Sequence, residues 1–273
     1  MLCGHLRGLR KGKKAAGSNP DYGIVSESLV FLQTMISSDT QPLFFTDLGL
    51  MNYQQAWDLQ ELLLKQNVTA KSGISSDSEL FTRHHLLFVE HPPVYTLGKS
   101  GKMEHVLIDE EERHRRSIEF FATNRGGDIT FHGPGQLVGY PILDLEKLYT
   151  DIGRYLRNVE EVVIRTMAVY GLEGKRSAGE TGVWLEPDIP GMERKICAIG
   201  VRCSRWITMH GFAFNVNTDL SYFDFIIPCG IRQKKVTSLQ AELGREVSMP
   251  ELKNNLLKQF ELVFEMNATN ILT

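Results

Sequence analysis

The stretch RGGDITFHGPGQLVGYPILDL, residues 125–145, carries two strand patterns separated by a glycine-rich turn. DITFHG and QLVGYPILDL both alternate enough to predict strands. Between them, Gly133–Pro134–Gly135 has the composition of a tight turn, and Gly126–Gly127 can supply a positive φ or a close backbone approach. Spacing alone favours a plain hairpin over a binding site.

Two nucleotide-binding motifs fail in and near this stretch. A dinucleotide fingerprint needs GxGxxG between a strand and a helix, whereas residues 125–136 have another spacing and continue into a strand. The sequence GKS at 98–100 resembles the end of a phosphate-binding loop, but the earlier glycine that such a loop requires is replaced by Pro93. The sequence therefore predicts neither kind of nucleotide site.

Strand patterns fill the middle of the chain, and helical patterns stand on either side. HLLFVEH reads as a buried strand, and VYTLG, SIEFFATN, TGVWLE, KICAIGVR and ITMHGFAFNVN are further strand candidates. Helices are predicted from about Asn52, over DEEERHRR, over DIGRYLRNVEEVVIRTMAVYGL and over MPELKNNLLKQFELVFEM. This order predicts a single α/β (α+β) domain, in which helices flank a mixed β-sheet.

The composition limits the class of protein. Of 273 residues, 42% are hydrophobic and 23% charged, with a net charge of −3, which predicts a soluble globular protein with no nucleic-acid partner. The apolar runs are too short to span a bilayer, so no membrane contact is expected. The four cysteines lack paired spacing and read as reduced thiols, with Cys197 and Cys203 as core residues. Without CxxC or HxxxH pairs, no metal site is predicted.

The first residues, MLCGHLRGLRKGKKAAGSNP, are basic and lack both acids and a long apolar run, unlike a secretory signal. A disordered tail, or residues upstream of a true start at Met35, is favoured over an organellar transit peptide. The predicted boundaries are a basic, disordered N-terminal extension over residues 1–40 and a catalytic domain over residues 41–268.

Cys229 is the candidate nucleophile. In IIPCGI it follows a proline and precedes a glycine, which would present its thiol on a stiff turn, although a small buried hydrophobe is a common alternative. A reactive thiolate needs a cation nearby, and the candidates are His132, His210 and Lys195. Lys195, within RKICAIG, would project from a sheet, but a lone lysine is more often solvated. Four glycine-rich patches beside strand edges suggest one shared cleft.

RGGDITFHGPGQLVGYPILDL, GETGVW, RKICAIGVRCSRWITMHGFAFNVNTDL, IIPCGI and VTSL together resemble the lipoyl(octanoyl) transferases of lipoate biosynthesis. The resemblance runs from about residue 43 to residue 265 and implies a fold related to the biotin and lipoate protein ligases. It implies transfer of an octanoyl group from octanoyl-acyl carrier protein to a lysine of lipoyl-domain proteins, the 2-oxoacid dehydrogenase E2 subunits and the glycine cleavage H protein. This is the first step of endogenous protein lipoylation. Lesser details resemble bacterial members and imply a cytoplasmic protein; a mitochondrial location is the alternative if the N-terminus is a transit peptide.

The resemblance also implies the site residues. It assigns the nucleophile to Cys229, which would carry the acyl group as a thioester, and its partner lysine to Lys195. The implied substrate-binding residues are Arg125, Gly126, Gly127, Asp128, Ile129, Thr130, Phe131, His132, Ala198, Ile199, Gly200, Gly211, Phe212 and Ala213. Exchange between thioesters is close to even and amide formation is downhill, so neither ATP nor another cofactor is expected. A monomer is expected.

Two other functions compete with this one. An ATP-dependent lipoate or biotin protein ligase on the same fold would activate its acid as an adenylate and would need no thiol nucleophile, so Cys229 argues against it. A non-catalytic module that only binds carrier proteins would have no use for Cys229 and Lys195 together.

Overall fold

Residues 40–73, 81–228 and 235–270 are described by the computed structural model. The strands are β1 Gln41–Leu50, β2 His84–Glu90, β3 Val94–Leu97, β4 Glu119–Ala122, β5 Ile129–His132, β6 Gln136–Ile142, β7 Val183–Leu185, β8 Arg194–Ser204, β9 Ile207–Asn215, β10 Lys235–Val236 and β11 Met266–Asn270. The α-helices are α1 Tyr53–Ser72, α2 Glu110–Arg115, α3 Ile152–Val169, α4 Leu239–Leu243 and α5 Met249–Phe264. Short 3-10 helices cover Met103–His105, Leu145–Lys147 and Leu220–Phe225.

An eight-stranded mixed sheet runs in the order β10-β8-β9-β6-β2-β1-β11, and β7 pairs with β8 as well. β1 lies parallel to β2 and β11, whereas β2, β6, β9 and β8 follow one another antiparallel. The sheet is buried on both faces: along β2, Leu86 and Phe88 pack with α3 and α5, and Leu87 and Val89 pack with α1. Burial on both faces explains why HLLFVEH is a continuous apolar run. The predicted α/β class, with helices flanking a mixed sheet, is confirmed.

A second sheet of three strands, in the order β4-β3-β5, was not foreseen from the sequence. β3 pairs parallel with β4 and antiparallel with β5. Its apolar side chains, including Tyr95 and Phe131, form a separate cluster with Phe223 of the Leu220–Phe225 helix.

The predicted hairpin across Gly133–Pro134–Gly135 is wrong, because β5 belongs to the small sheet and β6 to the large one. The turn itself is present: Gln136 N donates to Gly133 O at 3.1 Å, and Gly135 has a φ of 76°. Proline followed by a residue with positive φ is typical of a type II turn. The turn thus carries the chain from one sheet to the other.

The helix ends follow the sequence signals. Asp151 caps α3 by accepting from Arg154 N at 3.0 Å, and Gly171 has a φ of 77° just beyond the end of this helix. In α1 the buried residues are Tyr53, Ala56, Gln60, Leu64 and Asn67. The side-chain oxygen of Gln60 accepts from a backbone N–H of β9.

The structure also bears on the predictions for the cysteines and for membrane spans. Cys197 is fully buried and Cys203 packs against the same core cluster, so both are core residues as predicted. Residues 1–39 and Cys229 lie outside the described residues. Among the residues that are described, no helix combines the length and the apolar character that crossing a lipid bilayer requires.

Candidate active site

A cavity of about 490 Å³ is lined by residues of both sheets and of the loop before β5. Lys195 and almost all the predicted substrate-binding residues line it, namely Arg125, Gly126, Gly127, Asp128, Ile129, Thr130, His132, Ala198, Ile199, Gly200, Gly211, Phe212 and Ala213. The structure thus brings three separate sequence stretches together in one cavity. A volume of this size is typical of a small-molecule site.

Phe131 is the described member of the predicted set that does not line the cavity. Its ring stacks on Tyr222 with the centroids 4.6 Å apart and meets Phe223 edge-on at 5.6 Å. Neighbouring side chains in a strand point to opposite faces of the sheet. Phe131 therefore packs on the face that contacts Tyr222 and Phe223, while His132 lies on the face towards the cavity. Cys229 lies outside the described residues; Pro228, to which it is bonded, lines the cavity.

Glycines allow residues 125–128, here called the RGGD loop, to lie directly against β8. Gly126 N donates to Val201 O at 2.9 Å, and a β-carbon at Gly200 would stand 2.8 Å from Gly126 O. A β-carbon at Gly98 would stand 2.3 Å from Gly127 O, and Gly127 itself has a φ of 87°. Gly127 therefore supplies the positive φ that the sequence suggested, whereas the close approach depends on Gly98 and Gly200, which face the loop.

Arg125 places a buried positive charge behind this loop. Its Nη2 donates to the carbonyl and hydroxyl oxygens of Thr96 on β3, the latter at 3.0 Å, and its Nη1 donates to Gly126 O at 3.0 Å. The side chain thereby ties the RGGD loop to the small sheet. Its charge also lowers the pKa of His132 and His210.

A chain of polar side chains fixes the state of His132. Asn215 Nδ2 donates to Thr237 O at 3.0 Å, and Gln136 Nε2 donates to Asn215 Oδ1 at 2.9 Å. Because the Gln136 nitrogen is oriented in this way, its side-chain oxygen Oε1 faces His132 Nδ1 at 2.8 Å. An amide oxygen can only accept, so Nδ1 must donate to it. His132 Nε2 then accepts, and Thr96 Oγ1 lies 3.3 Å from it. Burial holds the pKa of His132 well below its usual value, so the ring is neutral.

His210 is neutral as well. It lies within β9 with a φ of 60°, and its Nε2 is 2.6 Å from Asn124 Oδ1. Burial, followed by the charge of Arg125, lowers the pKa of His210 to about 3. The two histidines that the sequence offered as cationic partners for a thiolate therefore carry no charge at neutral pH.

Lys195, the third candidate cation, projects from β8 between two neighbouring strands. It is paired in register with Trp184 on β7 and with Val236 on β10. Its Nζ lies 4.5 Å from the centroid of the Trp184 ring, which is cation–π geometry. Gly182, with a φ of 126°, packs beside it, and a β-carbon there would stand 3.5 Å from Lys195 Cε.

The rest of the cavity is largely apolar. Val138 and Phe212 line it from adjacent strands, together with the ring of Tyr140. The Tyr140 hydroxyl donates to His91 Nε2 at 2.7 Å, because His91 Nδ1 donates to Met51 O at 2.7 Å. Along β8, Lys195 and Val201 are about 20 Å apart at a rise of about 3.3 Å per residue. The site is thus an apolar chamber with an ammonium group towards one end.

Several lining residues were not singled out by sequence reasoning. Tyr53, Gln136, Val138, Tyr140 and Asn215 all line the cavity. Gln136 and Asn215 stand inside quoted motifs, where their polarity within strand patterns was the available signal. Among the described residues, no group of three or more His, Cys, Asp or Glu side chains is placed to hold a metal ion.

The chain is similar to a family of known enzymes. Residues 52–261 match the lipoyl protein ligase A/B catalytic domain. The octanoyltransferase of Christiangramia forsetii is 56% identical over 221 residues, which cover 80% of this chain and 94% of the relative. The octanoyltransferase of Cytophaga hutchinsonii is 49% identical over 239 residues, which cover 86% and 98%.

Among solved structures, a bipartite lipoate protein ligase from Thermoplasma acidophilum aligns over 85% of this chain and 88% of its own. Its TM-score is 0.59 and its sequence identity 18%, a likeness that speaks for the fold alone. The family model and the bacterial relatives together decide the classification: this chain belongs to the octanoyltransferase family and carries a lipoyl protein ligase A/B catalytic domain.

Proposed function

We propose that this acyltransferase moves an octanoyl group from octanoyl-acyl carrier protein to the lysine amine of lipoyl-domain proteins, with Cys229 carrying the group as a thioester between the two. The acceptors in this proposal are the E2 subunits of 2-oxoacid dehydrogenases and the glycine cleavage H protein. The catalytic domain comprises residues 41–268. Because the relatives named above are bacterial, the proposed location is the cytoplasm.

The observation that supports the proposal best is the placement of Lys195 at an apolar cavity beside the two described segments that flank Cys229. Pro228 lines the cavity, and Val236 is paired with Lys195 on the adjacent strand. Both His132 and His210 are neutral, so Lys195 is the one of the three candidate cations that supplies a positive charge there.

In the proposed chemistry, Cys229 starts as a thiolate beside Lys195, which is an ammonium. The thiolate attacks the octanoyl thioester, and the carrier thiol leaves with the proton from Lys195. The acceptor amine then attacks the acyl-enzyme, its proton passes to Lys195, and the amide leaves while Cys229 is again a thiolate. Lys195 as ammonium stabilises that thiolate and as amine serves as the base.

A donor exchange tests this proposal against the ATP-dependent ligase. The purified protein is mixed with a lipoyl domain and either octanoyl-acyl carrier protein alone or free octanoate with ATP, and the acceptor is weighed by intact mass spectrometry. The proposal predicts octanoylation with the carrier thioester and none with octanoate and ATP. The reverse result would establish a ligase, and no product with either donor would favour a carrier-binding module.

A further inference from the structure

His105 connects the segment before Cys229 to the wall of the cavity, although it does not line the cavity itself. Its backbone carbonyl accepts from Ile227 N at 2.8 Å, and its side-chain Nδ1 lies 2.6 Å from Asp128 Oδ2. Asp128 belongs to the RGGD loop and lines the cavity. One residue therefore touches both sides of the proposed acyl site.

The backbone contact is part of a short antiparallel pairing. Leu107 N donates to Phe225 O at 2.8 Å, and Val106 bridges Ile226 between the two outer bonds. Residues 225–227 are thus paired with residues 105–107, and Pro228 follows directly after the paired segment. The segment that leads into Cys229 takes its position from the chain around His105.

The side-chain contact links His105 to Asp128 of the RGGD loop. The Asp128 side chain is 9% exposed and the His105 side chain 19%. At 2.6 Å, the ring nitrogen of His105 and the carboxylate oxygen of Asp128 lie within ion-pair distance, so this contact joins residues 105–107 to the RGGD loop. The other oxygen of Asp128 accepts from Ile129 N at 2.7 Å, which aims the carboxylate at the first residue of β5.

The 3-10 helix Leu220–Phe225, which precedes this segment, is held in place by other contacts that do not involve His105. The Tyr95 hydroxyl donates to Tyr222 O at 2.7 Å, and the Tyr222 ring stacks on Phe131. Loss of the His105 side chain therefore leaves the fold of this region supported. Without the His105 side chain, however, the distance between residues 225–228 and the RGGD loop is no longer fixed.

We propose that His105 is a positioning residue for acyl transfer, which acts through Asp128 to set the distance between the segment that ends at Pro228 and the RGGD loop. This inference rests on the proposed function. The acyl carbonyl has to meet the thiol while its chain lies along the loop, so the two walls must keep a fixed spacing.

The test is a double-mutant cycle on the rate of acyl-enzyme formation. His105→Ala, Asp128→Ala and the double variant are mixed with octanoyl-acyl carrier protein, and the single-turnover rate and the KM for the donor are measured. Each single variant should acylate about 10- to 100-fold more slowly, as expected for a displacement of up to about 1 Å, with a smaller change in KM. The double variant should be no slower than the slower single variant.

Two further variants separate positioning from general damage. His105→Asn keeps a side-chain N–H near the place of Nδ1 and should recover most of the rate. His114→Ala, a 75% exposed histidine on α2, is the matched control and should retain the wild-type rate. If His105→Ala does not fold, Asp128→Ala breaks the same contact from the other side.

A His105→Ala rate within about twofold of wild type, or losses that add in the double variant, would overturn this inference alone. Absence of any acyl-enzyme in the wild-type protein would instead overturn the proposed function and this inference with it.

Discussion

Gly200→Ala tests whether the RGGD loop is a wall of the acyl site that depends on its close approach to β8. The new β-carbon would stand 2.8 Å from Gly126 O and 3.3 Å from Arg125 Cδ. Gly126 O is a backbone atom, so it cannot swing aside as a flexible side chain would. The loop must move away from β8 and lengthen the 2.9 Å bond from Gly126 N to Val201 O.

The size of the effect follows from that contact. A carbon and an oxygen meet ordinarily at about 3.3 Å or more, so the loop has to move by about 0.5 Å. Overpacking of this kind costs about 1–3 kcal/mol of unfolding free energy, or about 2–12 °C in Tm for a chain of this size. A 1 Å misplacement in an active site costs about 100-fold in rate, so half of that predicts about a tenfold loss in kcat/KM.

The assay is octanoyl transfer to a lipoyl domain, measured well below the Tm of each variant, together with thermal unfolding. Gly171→Ala is the matched control, because Gly171 has a φ of 77° and no atom within 4 Å of its would-be β-carbon. It should lose about 1–2 kcal/mol of stability through strain and keep its specific activity. If Gly200→Ala also lowers Tm and leaves kcat/KM unchanged, the RGGD loop is not part of the site.

Three further predictions concern single residues. Gly127→Val places a β-branched residue at a φ of 87° in the loop and should reduce acyl transfer more than it reduces Tm; a fall in Tm alone would argue for a purely structural turn. Trp184→Leu removes the ring under the Lys195 ammonium and should raise the pKa of the Cys229 thiol in an iodoacetamide rate–pH profile by about 0.5–1 unit, whereas an unchanged profile would leave the ring without electrostatic effect. Burial lowers the pKa of His91 to about 4, so an unfolded chain binds a proton there first and the unfolding free energy should fall as the pH drops from about 6.5 towards 4, by up to about 1.4 kcal/mol per pH unit. When the unfolding free energy of His91→Gln is measured by urea unfolding, it should depend less steeply on pH over that range than that of the wild type. An equal dependence on pH would contradict a lowered pKa for His91.

Local patterns predicted most helices and strands because their signals lie in consecutive residues. The apolar run of β2, the Asp151 cap and the glycine beyond α3 are all visible in the sequence and present in the structure. Partners of strands are not encoded locally. Thus β3 inserts between β4 and β5, and the turn after β5 leads to another sheet instead of a hairpin.

The candidate site was predicted in its composition but not in its electrostatics. The resemblance to the octanoyltransferases implied that Lys195 and the RGGD loop belong to one site, and in the structure both line one cavity. Sequence alone could not choose between His132, His210 and Lys195 as the cation, because the choice depends on burial and on the charge of Arg125. Nor could it reveal that His105 contacts Asp128, since one ends a short 3-10 helix and the other lies in the RGGD loop, 23 positions further along the chain.

Intact mass spectrometry of the protein after mixing with octanoyl-acyl carrier protein tests the central claim most directly. The wild-type chain should gain one octanoyl group, and peptide mapping should place it on Cys229. Cys229→Ala should gain none, while Cys203→Ala, which removes the partly buried free thiol of β8, should gain the group as the wild type does. An octanoyl group retained on Cys229→Ala, or transfer to the lipoyl domain by that variant at the wild-type rate, would contradict the account.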